Sequence, residues 1–246
     1  MNNRTHDPHG ERAEDYPGAL DLCRIIDHSV AQLWETVETL ERLQPRNLQR
    51  FRVSVFGSSR VAPDSPLFND VKEMTRRLSE AGCDLVTGGG GGLMQAANEG
   101  ATNGLLSSPA PGDLPVRLVE GRTADPFVER VYRHRTFFSR LHHFVRLSSA
   151  FVVLPGGIGT TLEAMMIWQL LQVEHLPSTP FLLYGQHWEG LLQWVEETLV
   201  DNQFADRKDL GLPTVVTTVD EVVEAIVEEF RHFQDTNPAT GDRTTD

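Results

Sequence analysis

The chain has 246 residues, 39% of them hydrophobic and 23% charged, and 35 acidic side chains against 22 basic ones give a formal net charge of −13. No stretch approaches the roughly 18 uninterrupted apolar residues of a membrane span, so no membrane partner is expected. A balance this acidic excludes extended nucleic acid, whose phosphate backbone needs a basic footprint, but a locally positive pocket for a small phosphorylated ligand remains compatible with it.

Residues 1–17, "MNNRTHDPHGERAEDYP", are polar, lack the apolar core of a secretory signal and read as a disordered tail. Residues 18–48 form an N-terminal helical extension, because Leu22, Ile25, Ile26, Val30, Leu33, Val37 and Leu40 recur at helical spacing. Residues 49–234 carry the main domain, and residues 235–246 read as a second disordered tail. Cys23 and Cys83 form no C-x-x-C pair, which points away from a disulfide scaffold or zinc ribbon and toward a reducing cytoplasm.

Within the main domain, "FRVSVF" predicts a strand, "SPLFNDVKEMTRRLSEAG" a helix and "CDLVT" a strand; "GGGGGLMQAANEGATNG" is a glycine turn opening a helix. "LPVRLVE" predicts a strand, "FFSRLHHFVRLSS" a helix, "AFVVLP" a strand and "GTTLEAMMIWQLLQ" a helix. "PFLLYG", "HWEGLLQWVEETLV", "PTVVTTV" and "DEVVEAIVEEF" continue the alternation to its end. Strands alternating with helices mean βαβ crossovers, hence an α/β fold with a mostly parallel, doubly wound sheet and helices on both faces. The helix after "AFVVLP" is apolar nearly all round, which predicts burial, in the core or between copies of the chain.

Ligands of such folds collect at the carboxyl ends of the strands. Three turns sit there: "FGSSR" with Gly57, Ser58, Ser59 and Arg60; "TGGGGGLM" with Gly89, Gly90, Gly91, Gly92 and Met94; and "PGGIGT" with Gly156, Gly157, Gly159 and Thr160. Glycine lets backbone N–H groups approach an anion, and the helix that follows adds unpaired donors and partial positive charge, so phosphate is the natural guest. Glycines also serve tight turns and close packing, though packing alone rarely needs five in a row. No G-x-x-x-x-G-K-[ST] is present, and the ribose-binding acid of a dinucleotide fingerprint is poorly supplied, with Asp113 and little else.

"VFGSSR", "LVTGGGGGLMQAANEGA" and "AFVVLPGGIGTTLE" resemble, in order and spacing, the LOG family of Rossmann-like nucleotide-binding proteins, over roughly residues 51–230. The family pattern PGGxGTxxE is met in full by Pro155, Gly156, Gly157, Gly159, Thr160 and Glu163. The resemblance implies a cytoplasmic phosphoribohydrolase that cleaves the N-glycosidic bond of a nucleoside 5′-monophosphate, such as a cytokinin riboside monophosphate or AMP, to free base and ribose 5-phosphate. It further implies a homodimer or larger homo-oligomer, no metal, no organic cofactor, and two catalytic residues: Glu163 and an Arg fifteen residues before Pro155, which is Arg140. The chain departs from the family at neighbours of these residues, with Ser139 and Leu141 flanking Arg140 where Glu and Lys are common, and Leu162 where some plant-type members carry Glu. A non-catalytic carrier of a nucleotide or molybdenum cofactor on the same fold is the alternative.

The residues allow plainer roles as well. Thr160-x-x-Glu163 has the spacing of a capping box, in which Thr160 begins the helix and Glu163 reaches back to it. Arg140 falls at the edge of an apolar arc of Phe137, Leu141, Phe144 and Val145, where it either enters a cleft or snorkels to water. His142 and His143 are adjacent and so diverge on a helix, which argues against a metal site. The only lysines, Lys72 and Lys208, adjoin no glycine turn, so the "lysine decarboxylase" label of many relatives finds no Schiff-base residue for pyridoxal phosphate here.

Overall fold

The computed structural model describes residues 50–107, 118–120, 130–132 and 137–237. The chain divides into two units, residues 1–42 and 43–246. The first unit, with the expected tail at 1–17 and the helical extension at 18–48, lies outside the described residues, as do residues 238–246 of the C-terminal tail.

Seven strands form one parallel sheet: β1 (Arg52–Phe56), β2 (Asp84–Thr87), β3 (Leu118–Glu120), β4 (Arg130–Tyr132), β5 (Ala150–Val153), β6 (Phe181–Tyr184) and β7 (Thr214–Val216). Their order is β4-β3-β2-β1-β5-β6-β7, so successive crossovers first move outward from β1 and then return to its other side. That reversal makes the fold doubly wound and opens a crevice beyond the carboxyl ends of β1 and β5. β4 is a three-residue edge strand, "RVY", without an alternating pattern long enough to mark it in the sequence.

Both faces of the sheet are covered, as a buried parallel sheet requires. On one face Val53, Val55, Leu85, Ala150 and Val152 pack in a single core with helices α1 (Pro66–Glu80), α2 (Leu93–Ser107) and α6 (Val219–Thr236). Helix α1 starts where Ser65 caps the Phe68 N–H and Pro66 fills the first position. It lies close enough to α2 that a Cβ at Gly100 or Gly104 would overlap the backbone carbonyls of Lys72 and Arg76. Helix α6 opens with a capping box between Thr218 and Glu221. It runs through Thr236, past Phe230 and past the expected boundary at 234, because Phe230 and Phe233 both pack against the Phe51 ring, tilted at 5.5 Å and edge-on at 5.6 Å, and Asn237 Nδ2 donates to the Phe233 carbonyl.

On the other face Phe56 meets Phe144 of helix α3 (Phe137–Leu147) edge-on at 4.7 Å and stacks with Phe151 at 6.4 Å. Beside them Ser54 and Ser148 join through their hydroxyls, and Ser148 donates to the Phe144 carbonyl. Helix α4 (Ile158–Gln172) buries Ala164, Ile167, Trp168, Leu170 and Leu171, with the Trp168 indole N–H donating to the Asp209 carbonyl at 2.8 Å. Its apolar sequence is not wholly covered: Ile158 is 88% exposed, and Leu162 and Val173 are also exposed. The expected helix at 187–200 is a 3-10 turn at Gln186–Trp188, helix α5 (Glu189–Val195) and one π turn at Glu196–Val200. No described helix is long and apolar enough to cross a membrane.

Candidate active site

The crevice at the topological switch is walled by three turns that are hydrogen-bonded to one another. Ser58, just after β1, donates its N–H to the Pro155 carbonyl at 3.0 Å and accepts the Leu93 N–H on its own carbonyl at 2.9 Å. One residue thereby ties the turn after β5 to the start of α2. Its hydroxyl accepts the Arg60 N–H, so it also shapes its own turn. Gly57 is a packing glycine, since a Cβ there would lie 3.1 Å from the Cβ atoms of both Leu93 and Leu154. Ser59 and Arg60 are exposed beyond it.

The second turn needs glycine for two different reasons. Gly89 and Gly92 have φ of +66° and +63°, the left-handed region that L side chains rarely adopt, and a Cβ on Gly92 would overlap the Ser58 carbonyl. Gly88 and Gly89 are buried, whereas Gly90 is half-buried and Gly91 exposed at the tip. No described residue accepts the Gly90 or Gly91 N–H, while the Gly89 N–H is taken by the Thr87 hydroxyl at 3.3 Å. Met94 lies across the base of the turn, its Sδ 3.0 Å from where a Gly88 Cβ would stand.

In the third turn Gly156 makes room for the Thr160 side chain, which is buried against it. A Cβ on Gly157 or Gly159 would meet nothing within 4 Å, so these two positions face open space. Gly157 is the N-cap of α4 and has no side chain to satisfy the first amides of the helix, which leaves donors and partial positive charge at the crevice.

This corrects the capping-box reading of Glu163. The helix begins at Ile158, one turn earlier than a Thr160 cap would need, so Thr160 is already helical and Glu163 sits beyond the N-terminal amides. Instead the carboxylate, only 6% exposed, accepts a hydrogen bond from Arg140 Nη2 at 2.7 Å. Arg140 comes from α3, and its guanidinium carbon lies 5.8 Å from the centre of the Phe144 ring, at the edge of the apolar arc as the helical geometry anticipates. Its side chain is 32% exposed, so it lines the cleft rather than the core. The same Nη2 would stand 3.1 Å from a Cβ on Gly88, which places the second turn against the ion pair.

Burial pushes the Glu163 carboxyl above the ordinary carboxylate range, and the neighbouring Arg140 charge and hydrogen bond pull in the opposite direction without prevailing. A carboxylate poised in this way accepts a proton more readily than an exposed one. His142 is held below the usual imidazole range, first by burial and then by Arg146 and His143. Cys83 is buried behind the sheet with its thiol pushed up to about 12, which disqualifies it as a nucleophile. Cys23 lies outside the described residues.

Among the described residues no three His, Cys, Asp or Glu side chains gather as metal ligands. Lys72 is ion-paired with Glu99 on the α1–α2 surface at 3.0 Å, and Lys208 is an exposed residue of the 3-10 turn Arg207–Gly211, 3.9 Å from Asp206. Neither is a Schiff-base candidate. Gly88, Thr87 and Asn98 adjoin the site without having been singled out in the sequence; Gly88 was merged into a run of five, and the other two read as ordinary strand and helix residues.

A family model described as "Possible lysine decarboxylase" matches residues 94–226. The cytokinin riboside 5′-monophosphate phosphoribohydrolase of Mycobacterium marinum is 27% identical over 178 residues, covering 72% of this chain and 93% of that protein. LOG2 of Arabidopsis thaliana, which carries the same name, is 25% identical over 204 residues, covering 79% and 92%. Among solved structures, the molybdenum cofactor carrier protein of Chlamydomonas reinhardtii aligns with a TM-score of 0.54 at 18% identity, over 74% of this chain and 99% of that one. The molybdenum cofactor binding protein of Rippkaea orientalis aligns with a TM-score of 0.54 at 14% identity, over 73% and 96%. At those identities the structural likeness is one of fold.

Proposed function

The chain belongs to the family described as possible lysine decarboxylases, the LOG family, and from that premise we propose that it is a phosphoribohydrolase of nucleoside 5′-monophosphates. The observation that carries this reading is the Arg140–Glu163 pair, 2.7 Å apart with its carboxylate buried, placed beside two glycine turns with open donors. The phosphoribohydrolases to which the chain is similar support the same chemistry, whereas the word decarboxylase has no lysine in the site to support it.

In this reading the 5′-phosphate is held by the tip amides of Gly90 and Gly91 and the first amides of α4, with Arg60 supplying charge at the rim. The ribose lies over Glu163. The C1′–N bond breaks with its electron pair leaving on the base, water oxygen bonds to C1′, and the water proton passes to the Glu163 carboxylate while the base takes a proton from solvent. Glu163 also stabilises the oxocarbenium-like charge that develops on the sugar. Arg140 remains protonated throughout; it holds Glu163 in place and offsets charge on the departing base. The base accepted is a purine of the AMP or cytokinin type, the site is cytoplasmic, and no cofactor takes part. Two copies pair along the exposed Ile158 and Leu162, one turn apart on α4; sedimentation of Leu162→Glu beside the wild type tests that part.

The deciding experiment is chromatographic detection of free base and ribose 5-phosphate from a panel of nucleoside monophosphates. Turnover by the wild type, with a loss of about 10³-fold in Glu163→Gln and Arg140→Ala, is the expected result. Binding of a nucleotide without cleavage, equal in all three proteins, would sink the hydrolase reading in favour of a carrier.

A further inference from the structure

We propose that Thr87 and Asn98 are a buried positioning pair that fixes the shape of the glycine turn, so that its tip stays open to a phosphate and its base backs Arg140. The inference rests on the phosphate-site reading above and extends it to two residues that touch no substrate.

Thr87, the last residue of β2, is fully buried, and Asn98, on the second turn of α2, is 2% exposed. The Thr87 hydroxyl donates to Asn98 Oδ1 at 3.1 Å and accepts the Gly89 N–H at 3.3 Å. A hydroxyl has one proton, and the Asn98 oxygen claims it, so a lone pair is left facing Gly89. The partner thus sets the polarity of the contact.

A run of five glycines has no conformational preference of its own and loses more freedom on ordering than any other sequence. Something outside the run must select one shape. On the far side Ser58 does so, taking the Leu93 N–H and crowding Gly92. On the near side the described residues offer the Thr87 hydroxyl, which ties Gly89 in its left-handed conformation. Between these two anchors Gly90 and Gly91 are the less buried members of the run, and no described residue accepts their N–H groups.

The near anchor also bears on Arg140. Gly88 lies between Thr87 and Gly89, and its Cα hydrogen faces Arg140 Nη2 at a spacing where a methyl group would stand 3.1 Å away. If Gly89 is released, Gly88 moves with it and the guanidinium loses the surface it rests on. Phosphate affinity and the set of the Arg140–Glu163 pair are therefore expected to fail together.

Thr87→Val removes the hydroxyl at nearly constant volume, and Thr87→Ser retains it. Ribose 5-phosphate binding by calorimetry, and kcat and KM on the best nucleotide, are to be measured for both beside the wild type. Thr87→Val is expected to bind ribose 5-phosphate about tenfold more weakly, which is about 1.4 kcal/mol, with KM raised, kcat lowered and Thr87→Ser like the wild type. Equal affinity in wild type and Thr87→Val overturns the proposal, and so does an equal loss in Thr87→Ser, which would assign the effect to packing of the methyl group. Amide hydrogen exchange on the unmodified protein gives a second check that needs no variant. The Gly89 N–H should exchange slowly without ligand, and Gly90 and Gly91 should slow only when ribose 5-phosphate is added; fast exchange at Gly89 overturns the proposal. A wild type that binds ribose 5-phosphate but cleaves no nucleotide, with the Thr87→Val loss intact, leaves the positioning pair standing and removes the hydrolase reading. Cleavage that Thr87→Val does not impair does the reverse.

Discussion

At the amino edge of the sheet Asp84 is 1% exposed and meets two arginines, Arg50 Nη2 2.8 Å from Oδ1 and Arg52 Nε 3.6 Å from Oδ2. At the carboxyl edge Glu163 is 6% exposed and meets Arg140 as the cation beside it among the described residues. The amino edge is closed over by Phe51 with Phe230 and Phe233, whereas the carboxyl edge is ringed by glycine turns whose missing side chains leave it open. A buried carboxylate with two cations is a fastening, because its charge is compensated twice over. One with a single, partly exposed cation, whose carboxyl burial pushes above its ordinary range, stores unused capacity to take a proton.

The difference predicts opposite responses to the same kind of substitution. Glu163→Gln should abolish about 10³-fold of turnover while the urea midpoint stays close to that of the wild type. Asp84→Ala should do the opposite and lower stability by about 3 kcal/mol, since it removes the buried counter-charge beside Arg50 and Arg52, while turnover per folded molecule is unchanged. Kinetics and urea denaturation on both variants settle it. If Glu163→Gln unfolds as easily as Asp84→Ala, the carboxyl-edge pair is a fastening too, and the assignment of the site fails.

Next in size is Gly88→Ala. The backbone at Gly88 lies outside the left-handed region that restricts Gly89 and Gly92, so the added methyl causes no strain of its own. It meets only the ends of two flexible side chains, the Arg140 guanidinium and the Met94 sulfur. Both can give way, which spares the fold but shifts Arg140 by a fraction of an ångström. Catalytic groups displaced on that scale lose up to about 10²-fold in rate. The expected signature is a fall in kcat with melting temperature and ribose 5-phosphate affinity retained. A drop in phosphate affinity instead would mean that the methyl acts on the turn and not on Arg140.

These contrasts also show what the sequence made legible. The alternation of "FRVSVF", "CDLVT" and "AFVVLP" with helical stretches gave the parallel sheet and the edge where ligands gather, because strand burial and glycine turns write directly into residue type. Arg140 and Glu163 were reached through the PGGxGTxxE resemblance, and helix periodicity alone left Arg140 between cleft and snorkel. Spacing pointed the wrong way for Glu163: Thr160-x-x-Glu163 fits a capping box, but a cap depends on where the helix starts, and Gly157, with no side chain to announce itself, starts it earlier. Thr87 and Asn98 were invisible because a hydrogen bond between a strand end and a helix eleven residues later leaves no periodic trace. The three-residue β4 was too short to write one.

The smallest effect is a slope with pH, and it separates the two forces on Glu163. Burial raises its carboxyl and Arg140 lowers it, so in the folded protein the group titrates above its unfolded value. The folded state therefore binds the proton more tightly than the unfolded state does. Its contribution to stability is fully present below the unfolded value and is lost as pH rises through the folded one. Arg140→Met removes the opposing pull, moves the folded value further up and should steepen that loss between mildly acidic and neutral pH. Adding Glu163→Gln to Arg140→Met removes the titrating group and should flatten the curve. Urea denaturation of the wild type, the single variant and the double variant across that range gives three curves to compare. Parallel curves would show that Glu163 is not the group being held up by burial. In activity the sign is reversed: a carboxylate needed as base is lost as pH falls through its raised value, so the acid limb of kcat/KM should lie above the ordinary carboxylate range in the wild type.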